Sequence, residues 1–165
     1  MTSEHLLHTI PPIYDGNSKK LILGSFPSVK SREVSFYYGH PQNRFWRVLA
    51  AVLGCAVPSS NEEKTALLQS HNIALWDVIK SCDIVGSSDS SIKNVVPNDI
   101  GTILSSCGIR QIYSNGKTSE KLFNKYIKDT VGRDTVALPS TSPANASYNL
   151  ERLTDSWSVI KNNIR

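Results

Sequence analysis

The sequence has no long hydrophobic run and no leader-like start. Its longest apolar stretch, residues 48–53, is far shorter than the ~20 residues that a membrane-spanning helix needs. The first residues lack the basic-then-apolar order of a signal peptide. We therefore expect a cytoplasmic protein that stays inside the cell and makes no membrane association.

Metal-binding patterns are also missing. The three cysteines, Cys55, Cys82 and Cys107, are far apart and form no Cys-x-x-Cys pair. They are too few to ligate an iron–sulfur cluster or a structural zinc, so we expect reduced structural thiols. The four histidines show no metal-ligand spacing either. We therefore expect neither a metal nor a cofactor.

The composition predicts one globular domain. With 165 residues, 39% of them hydrophobic and 19% charged, the chain can bury ~70% of the surface of its unfolded form. Lysine and arginine exceed aspartate and glutamate by 18 to 14, a net charge of +4. Such a small positive charge is compatible with binding to a polyanion such as nucleic acid, but it does not by itself indicate such binding. We expect a single domain over residues 1–165, with residues 1–20 as an extended lead-in.

Four short apolar segments predict strands, and helical spacing predicts helices between them. The predicted strands are residues 21–23, 73–76, 111–114 and 135–138. Predicted helices begin at residue 45, at the capping pair Ser60 and Asn61, near Asn98, at residue 118 and at residue 148, the last running to residue 164. Residues 24–44 and 77–98 are predicted to be mostly loop. The alternation predicts a three-layer αβα fold around a central, mainly parallel four-stranded sheet.

The predicted strands all end in polar turns. The turns after Leu23, Trp76, Ser114 and Leu138 must share one edge of a parallel sheet, where open α/β sheets bind ligands. The first of them leads into residues 37–46, which combine aromatic rings, amides and a histidine. These residues predict a pocket for a flat heterocycle, although the aromatic ones are equally suited to the core.

The motifs in these turns resemble those of the uracil-DNA glycosylase superfamily, and most closely its hypoxanthine-DNA (deoxyinosine) glycosylase branch. They are Gly-Ser-Phe-Pro-Ser at 24–28, Tyr-x-His-Pro-x-Asn-Arg-Phe-Trp at 38–46, Asn-Gly-Lys at 115–117, and the Pro-Ser and Ser-Pro pairs at 139–140 and 142–143. The resemblance implies a monofunctional glycosylase that flips a deaminated base out of DNA and hydrolyses its N-glycosidic bond. It implies DNA as the partner, and we expect a monomer.

The first motif departs from the superfamily pattern. Phe26 stands where uracil-specific and mismatch-specific relatives carry an Asp or Asn that positions water. The resemblance implies that Asn43 takes over this catalytic role, although an amide is a poor general base. Asn43 is equally suited to capping the next helix. Asp77 is the reserve candidate for holding water, with an exposed loop carboxylate as its alternative.

Further roles follow from the resemblance. The residues expected to contact the base are Ser25, Phe26, Tyr38, His40 and Asn115. Those expected to contact DNA are Ser28, Lys30, Arg44, Lys117, Ser140, Thr141, Ser142 and Asn145. His40 is also suited to holding a turn, and Asn115 to a turn with positive φ before glycine.

Two other functions remain open from the sequence. A mismatch-specific uracil or thymine glycosylase would use the same pocket, but it favours the first-motif Asp or Asn that is absent here. A catalytically silent module that binds damaged bases or nucleotides is compatible with Phe26. Release of free base separates an enzyme from such a module.

Overall fold

In the computed structural model, which describes residues 2–161, the four predicted strands form one parallel sheet. The strands are β1 (Glu4–Leu7), β2 (Lys20–Gly24), β3 (Ile73–Asp77), β4 (Ile79–Ile84), β5 (Lys93–Pro97), β6 (Gln111–Asn115) and β7 (Thr135–Leu138). The sheet order is β3-β2-β6-β7, and each neighbouring pair is parallel. All four strands therefore end at the same edge, as predicted.

Helices cover both faces of this sheet. They are α1 (Val29–Val34), α2 (Phe45–Leu53), α3 (Asn61–Ser70), α4 (Ile100–Ser106), α5 (Lys117–Tyr126), α6 (Lys128–Val131) and α7 (Leu150–Trp157), with short 3-10 turns at Asp89–Ser91 and Ser158–Lys161. Because alternate strand residues face opposite sides, Ile22 packs in the core that contains α2 and α7, whereas Leu21 and Leu23 pack in the core that contains α4 and α5. The three-layer αβα prediction is confirmed.

Local signals place most helix ends correctly. Gly54 ends α2 with φ +70°, and the Ser60 hydroxyl accepts a hydrogen bond from the Glu63 backbone N–H at 3.1 Å, capping α3. The predicted last helix begins two residues late and gives way after Trp157 to a 3-10 turn. Its predicted end at Ile164 lies outside the described residues.

The prediction that residues 77–98 are mostly loop is wrong. β4 and β5 lie in this segment and join β1 in an antiparallel sheet of order β1-β4-β5. The polar residues that suggested a loop have partners in this sheet: Asp83 lies 2.7 Å from a His5 ring nitrogen and accepts a 2.7 Å hydrogen bond from Asn94. The lead-in over residues 1–20 therefore contains a strand.

Residues 24–44 are not wholly loop either, because they contain α1. The Ser28 hydroxyl caps this helix by accepting a hydrogen bond from the Ser31 backbone N–H at 3.1 Å. All three cysteines are free thiols, as predicted. Among the described residues, no helix has the length and apolar character needed to span a membrane.

Candidate active site

A cavity of about 520 Å³ opens at the edge where the parallel strands end. We call it the main cavity; its volume is in the ~300–1,000 Å³ range of small-molecule sites. Segments 24–28, 87–90 and 140–144 line it, together with Tyr38, His40, Asn43, Asp77 and Asn115. All four strand exits contribute to the main cavity, so the structure brings the predicted motifs together.

Asp77 and Gly24 form the floor of the main cavity. Asp77 is only 4% exposed, and its Oδ2 accepts a hydrogen bond from His8 Nε2 at 2.7 Å. A Cβ atom on Gly24 would lie 2.4 Å from Asp77 Oδ1, so glycine is needed where β2 ends. Asp77 is therefore not an exposed loop carboxylate. Its position at the end of a predicted strand correctly indicated that it lies at the sheet edge, where the cavity opens. The sequence did not indicate that His8 is its partner.

Tyr38 forms one wall. Its ring stacks on Phe45 with centroids 4.1 Å apart and planes 18° apart, and its backbone has φ +54°. The Tyr38 hydroxyl is buried and has no hydrogen-bond partner within residues 2–161. Burial and, second to it, the negative charge of Asp77 raise the pKa of Tyr38 far above its usual value, whereas the nearby Asn115 side chain opposes the shift. Tyr38 thus lines the main cavity, and its neutral hydroxyl is buried at the cavity's edge.

The other aromatic residues of this loop are structural. Phe45 and Trp46 are 1% and 6% exposed and belong to the core, the alternative already considered for them. Tyr37 is also buried, and its hydroxyl donates to the Pro11 carbonyl at 2.8 Å. Tyr37 also lines the main cavity, whereas Phe45 and Trp46 do not. Core packing of these rings therefore fixes the loop that carries Tyr38.

Asn43, Thr141 and Asn115 form one hydrogen-bonded network across the cavity wall. Asn43 Oδ1 accepts hydrogen bonds from the Phe45 backbone N–H and the Thr141 hydroxyl, both at 2.9 Å. The Asn115 amide donates to Thr141 Oγ1 and accepts from the Thr141 backbone N–H, both at 3.1 Å. Both lone pairs of Asn43 Oδ1 are therefore engaged. Its Nδ2 makes no hydrogen bond to residues 2–161, so the free part of this side chain is a donor.

The remaining predicted base contacts also lie on the main cavity. His40 Nδ1 accepts from the Gln42 backbone N–H at 3.1 Å, which leaves the proton of the neutral ring on Nε2. The Phe26 ring meets the His8 ring edge-on, with centroids 6.0 Å apart. The Ser25 hydroxyl donates to Asp89 Oδ1 across 3.4 Å. These residues add one apolar surface and two hydrogen-bonding groups.

Asp89 also lines the main cavity, although the sequence placed it in a segment assigned to loop and gave it no role. Asp89 is an exposed residue whose carboxyl group is nevertheless surrounded by protein atoms. This burial raises the pKa of Asp89 above its usual value; hydroxyl contacts from Ser25 and Thr118 oppose the shift, and the charge of Asp77 adds to it. The only sequence signal was its position in a run of serines and glycine.

A second cavity, of about 620 Å³, adjoins the first across the loop that follows β7. We call it the side cavity. It collects four of the residues expected to contact DNA, namely Lys117, Ser140, Ser142 and Asn145. Asp89 lines both cavities and so lies on the rim between them. The side cavity gives these residues a common open surface.

Three other residues expected to contact DNA have structural roles in the fold, and their contacts with DNA stay predictions. The Arg44 guanidinium donates to the carbonyls of Ser142 at 2.9 Å, Asn145 at 3.1 Å and Tyr148, and so braces the loop after β7. Thr141 is fully buried in the amide network. Ser28, although it lines the main cavity, caps α1.

Lys30 lies away from both cavities. Its ammonium group is 3.7 Å from the Glu33 carboxylate on the surface of α1. The contact is exposed and of little consequence for stability. Among the predicted phosphate-binding cations, Lys117 is therefore the one that lines a cavity.

A parallel sheet between two layers of helices, with a polar and aromatic cavity at its strand ends, defines an α/β protein with a ligand-sized pocket. The model of the uracil DNA glycosylase superfamily matches residues 11–162. The chain belongs to that superfamily, and the resemblance inferred from the motifs is confirmed.

Individual relatives agree with this assignment. The hypoxanthine DNA glycosylase of Methanosarcina barkeri (strain Fusaro) is 35% identical over 137 residues, covering 82% of this chain and 85% of its own. That of Methanosarcina acetivorans is 34% identical over 152 residues, covering 91% and 94%. A solution NMR structure from M. acetivorans, of a protein provisionally assigned as a uracil DNA glycosylase, has a TM-score of 0.77 at 30% identity, covering 93% of this chain and 97% of that one.

Proposed function

We propose that this protein is a monofunctional DNA glycosylase that releases deaminated bases, with hypoxanthine as its preferred substrate. The relatives named hypoxanthine DNA glycosylase support the activity. The observation that carries it is the main cavity, in which all the glycosylase-like motifs meet around a polar floor and an aromatic wall. Since one chain supplies every wall, we also propose a monomer, acting inside the cell where its DNA substrate lies.

The floor of the cavity suits the edge of a deaminated base. Deamination of adenine replaces an amine by a carbonyl and places a proton on the adjacent ring nitrogen. Asp77 Oδ1 accepts such an N–H, whereas the unprotonated nitrogen of adenine would face the carboxylate lone pairs. A buried polar group left unpaired discriminates strongly between similar ligands. The buried Asp77 is therefore placed to separate hypoxanthine from its parent base.

The walls suit the departing base. Asn43 Nδ2 and the buried Tyr38 hydroxyl are donors without an acceptor among residues 2–161, although the Asn115 side chain lies near the Tyr38 oxygen. Donors aimed at developing negative charge stabilise the transition state. We assign these two groups to the base as its glycosidic bond breaks. With the oxygen of Asn43 engaged, its catalytic part is played through the amide NH₂ rather than through a held water.

The test is release of free base from end-labelled DNA. Duplexes carry inosine, uracil or xanthine opposite each normal base, with adenine duplexes as the control and a chelator in every reaction. Strand breaks after alkali at inosine, with few at uracil and none at adenine, are the expected result. Cleavage mainly at uracil would replace this proposal by a mismatch-type glycosylase. Binding without release from any substrate would favour a silent damage-binding module.

A further inference from the structure

Hydrolysis of the glycosidic bond needs a group that accepts a proton from water near C1′ of the sugar. Phe26 has no acceptor, and Asn43 Oδ1 is occupied by two donors. Within residues 2–161, two carboxylates remain on the lining of the main cavity, Asp77 and Asp89. The two carboxylates lie at different depths in the cavity, and this difference indicates which of them is close to the sugar and which is close to the base.

An extruded nucleotide enters a pocket with its base first, so the sugar stays at the mouth. Asp77 is 4% exposed and is held on the floor by His8 at 2.7 Å, which places it at the base. Asp89 is exposed and lines both cavities, which places it at the mouth. Asp89 is thus the carboxylate at the level of the sugar.

The loop that carries Asp89 is held on both sides. The Ser87 hydroxyl accepts from the Val29 backbone N–H at 2.9 Å, and Arg32 donates to the Gly86 carbonyl at 3.2 Å. After the 3-10 turn, the Ser91 hydroxyl accepts from the Val85 backbone N–H at 2.8 Å. These contacts hold the residues on both sides of Asp89, the first two against α1 and the third against the residue that follows β4. A catalytic group needs such fixed placement.

We propose that Asp89 is the catalytic general base of this glycosylase, an inference that rests on the proposed function. Its carboxylate accepts a proton from water as the water oxygen bonds to C1′. The C1′–N bond breaks at the same time, and its electron pair leaves with the base. The base then takes a proton from solvent, and Asp89 returns its own to solvent. Water, sugar and base thus balance without a further reactant.

The surroundings of Asp89 fit this role. A general base works best when its pKa approaches the working pH, and burial moves the pKa of Asp89 upward from 3.8. Among the described residues, the titratable groups that share its cavities are Asp77, His40, Tyr37, Tyr38, Lys117 and Tyr148. Of these, Asp77 reinforces the upward shift. The rate of base release should therefore rise with pH as Asp89 loses its proton.

The test compares Asp89→Asn with Asp134→Asn. Both substitutions remove one carboxylate, but Asp134 is an exposed residue that pairs with Lys128 and lines neither cavity. Base release from an inosine duplex is measured in single turnovers at saturating enzyme, between pH 4 and 9, with DNA affinity measured separately and folding checked by thermal melts.

We expect Asp89→Asn to lower the single-turnover rate by ~10²–10⁴-fold, the usual contribution of a general base. DNA affinity should stay the same or improve, because a negative charge is removed beside the phosphates. The rise of rate with pH should disappear in Asp89→Asn and persist in Asp134→Asn. A folded Asp89→Asn variant with the wild-type rate and pH profile would overturn the inference. So would equal losses of rate and affinity. Absence of release by the wild-type protein would instead refute the proposed function.

Discussion

Gly24→Ala tests how closely the cavity floor is packed. The new Cβ would lie 2.4 Å from Asp77 Oδ1 and 3.0 Å from the Tyr38 hydroxyl, whereas ordinary contact begins at 3.4 Å. Asp77 has little room to move, because its other oxygen is bound to the buried His8 side chain. The substitution must therefore displace the floor of the cavity or the end of β2.

The magnitude can be set against a matched control. Overpacking of a tight site costs ~1–3 kcal/mol, and alanine in place of glycine returns up to ~1 kcal/mol by restricting the unfolded chain. Gly16→Ala provides the second effect alone, since nothing lies within 4 Å of its new Cβ. The difference between the two variants should be ~1–3 kcal/mol in free energy of unfolding. For a chain of this size, that is a gap in melting temperature of ~2–12 °C.

The assay is thermal unfolding of both variants, followed by base release from an inosine duplex. We expect Gly24→Ala to melt below Gly16→Ala and to release base much more slowly at temperatures where it is folded. Equal melting temperatures together with equal rates would refute the packing of Asp77 and Tyr38 against Gly24. A lower melting temperature with an unchanged rate would show that the floor does not meet the base.

Three further predictions use the same protein. Asn43→Ala should reduce base release far more than DNA binding; equal losses would mean that Asn43 caps α2 or reads the base without helping catalysis. DNA affinity should fall with salt at a log–log slope near −0.9 per phosphate neutralised, and a flat response would exclude DNA as the partner. The raised pKa of Asp89 means that its ionised form is less stable in the fold than in the unfolded chain. We therefore expect the melting temperature of Asp89→Asn to increase relative to that of the wild type as the pH rises from 3.8 through the pKa of Asp89 in the folded protein. Below pH 3.8 the difference in melting temperature should stay constant. A difference that does not change with pH anywhere would contradict the raised pKa.

The parallel sheet was predictable because each of its strands has a recognisable local sequence pattern. Residues 21–23 and 111–114 are short apolar runs closed by polar turns, and the same turns carry the motifs of the site. β4 was not predictable from composition, because its Ser and Asp residues are those of a loop. One of their hydrogen-bond partners, His5 for Asp83, lies 78 residues away in the chain.

The details of the site depended on similar distant contacts. His8 and Asp77 are 69 residues apart, and Thr141 and Asn43 are 98 apart. A sequence shows that an asparagine has an acceptor, but not which donors already occupy it. Likewise, the charge of Arg44 suggested a phosphate, whereas its fixed planar fork instead suits the carbonyls of a nearby loop. The residue type limits which hydrogen bonds a side chain can make, and the tertiary contacts determine which of them it makes.

β1 gives the molecule a weak point in an unexpected place. It is an edge strand of four residues, mostly exposed and paired only with β4. Short exposed edges open locally at lower free energy than the core. If β1 frays, His8 leaves with it and Asp77 loses its buried partner while the parallel sheet stays intact. If this is so, amide hydrogens in residues 4–8 should exchange rapidly, and activity should be lost well below the melting temperature. Both results together would show that the pocket is disrupted by local unfolding of β1.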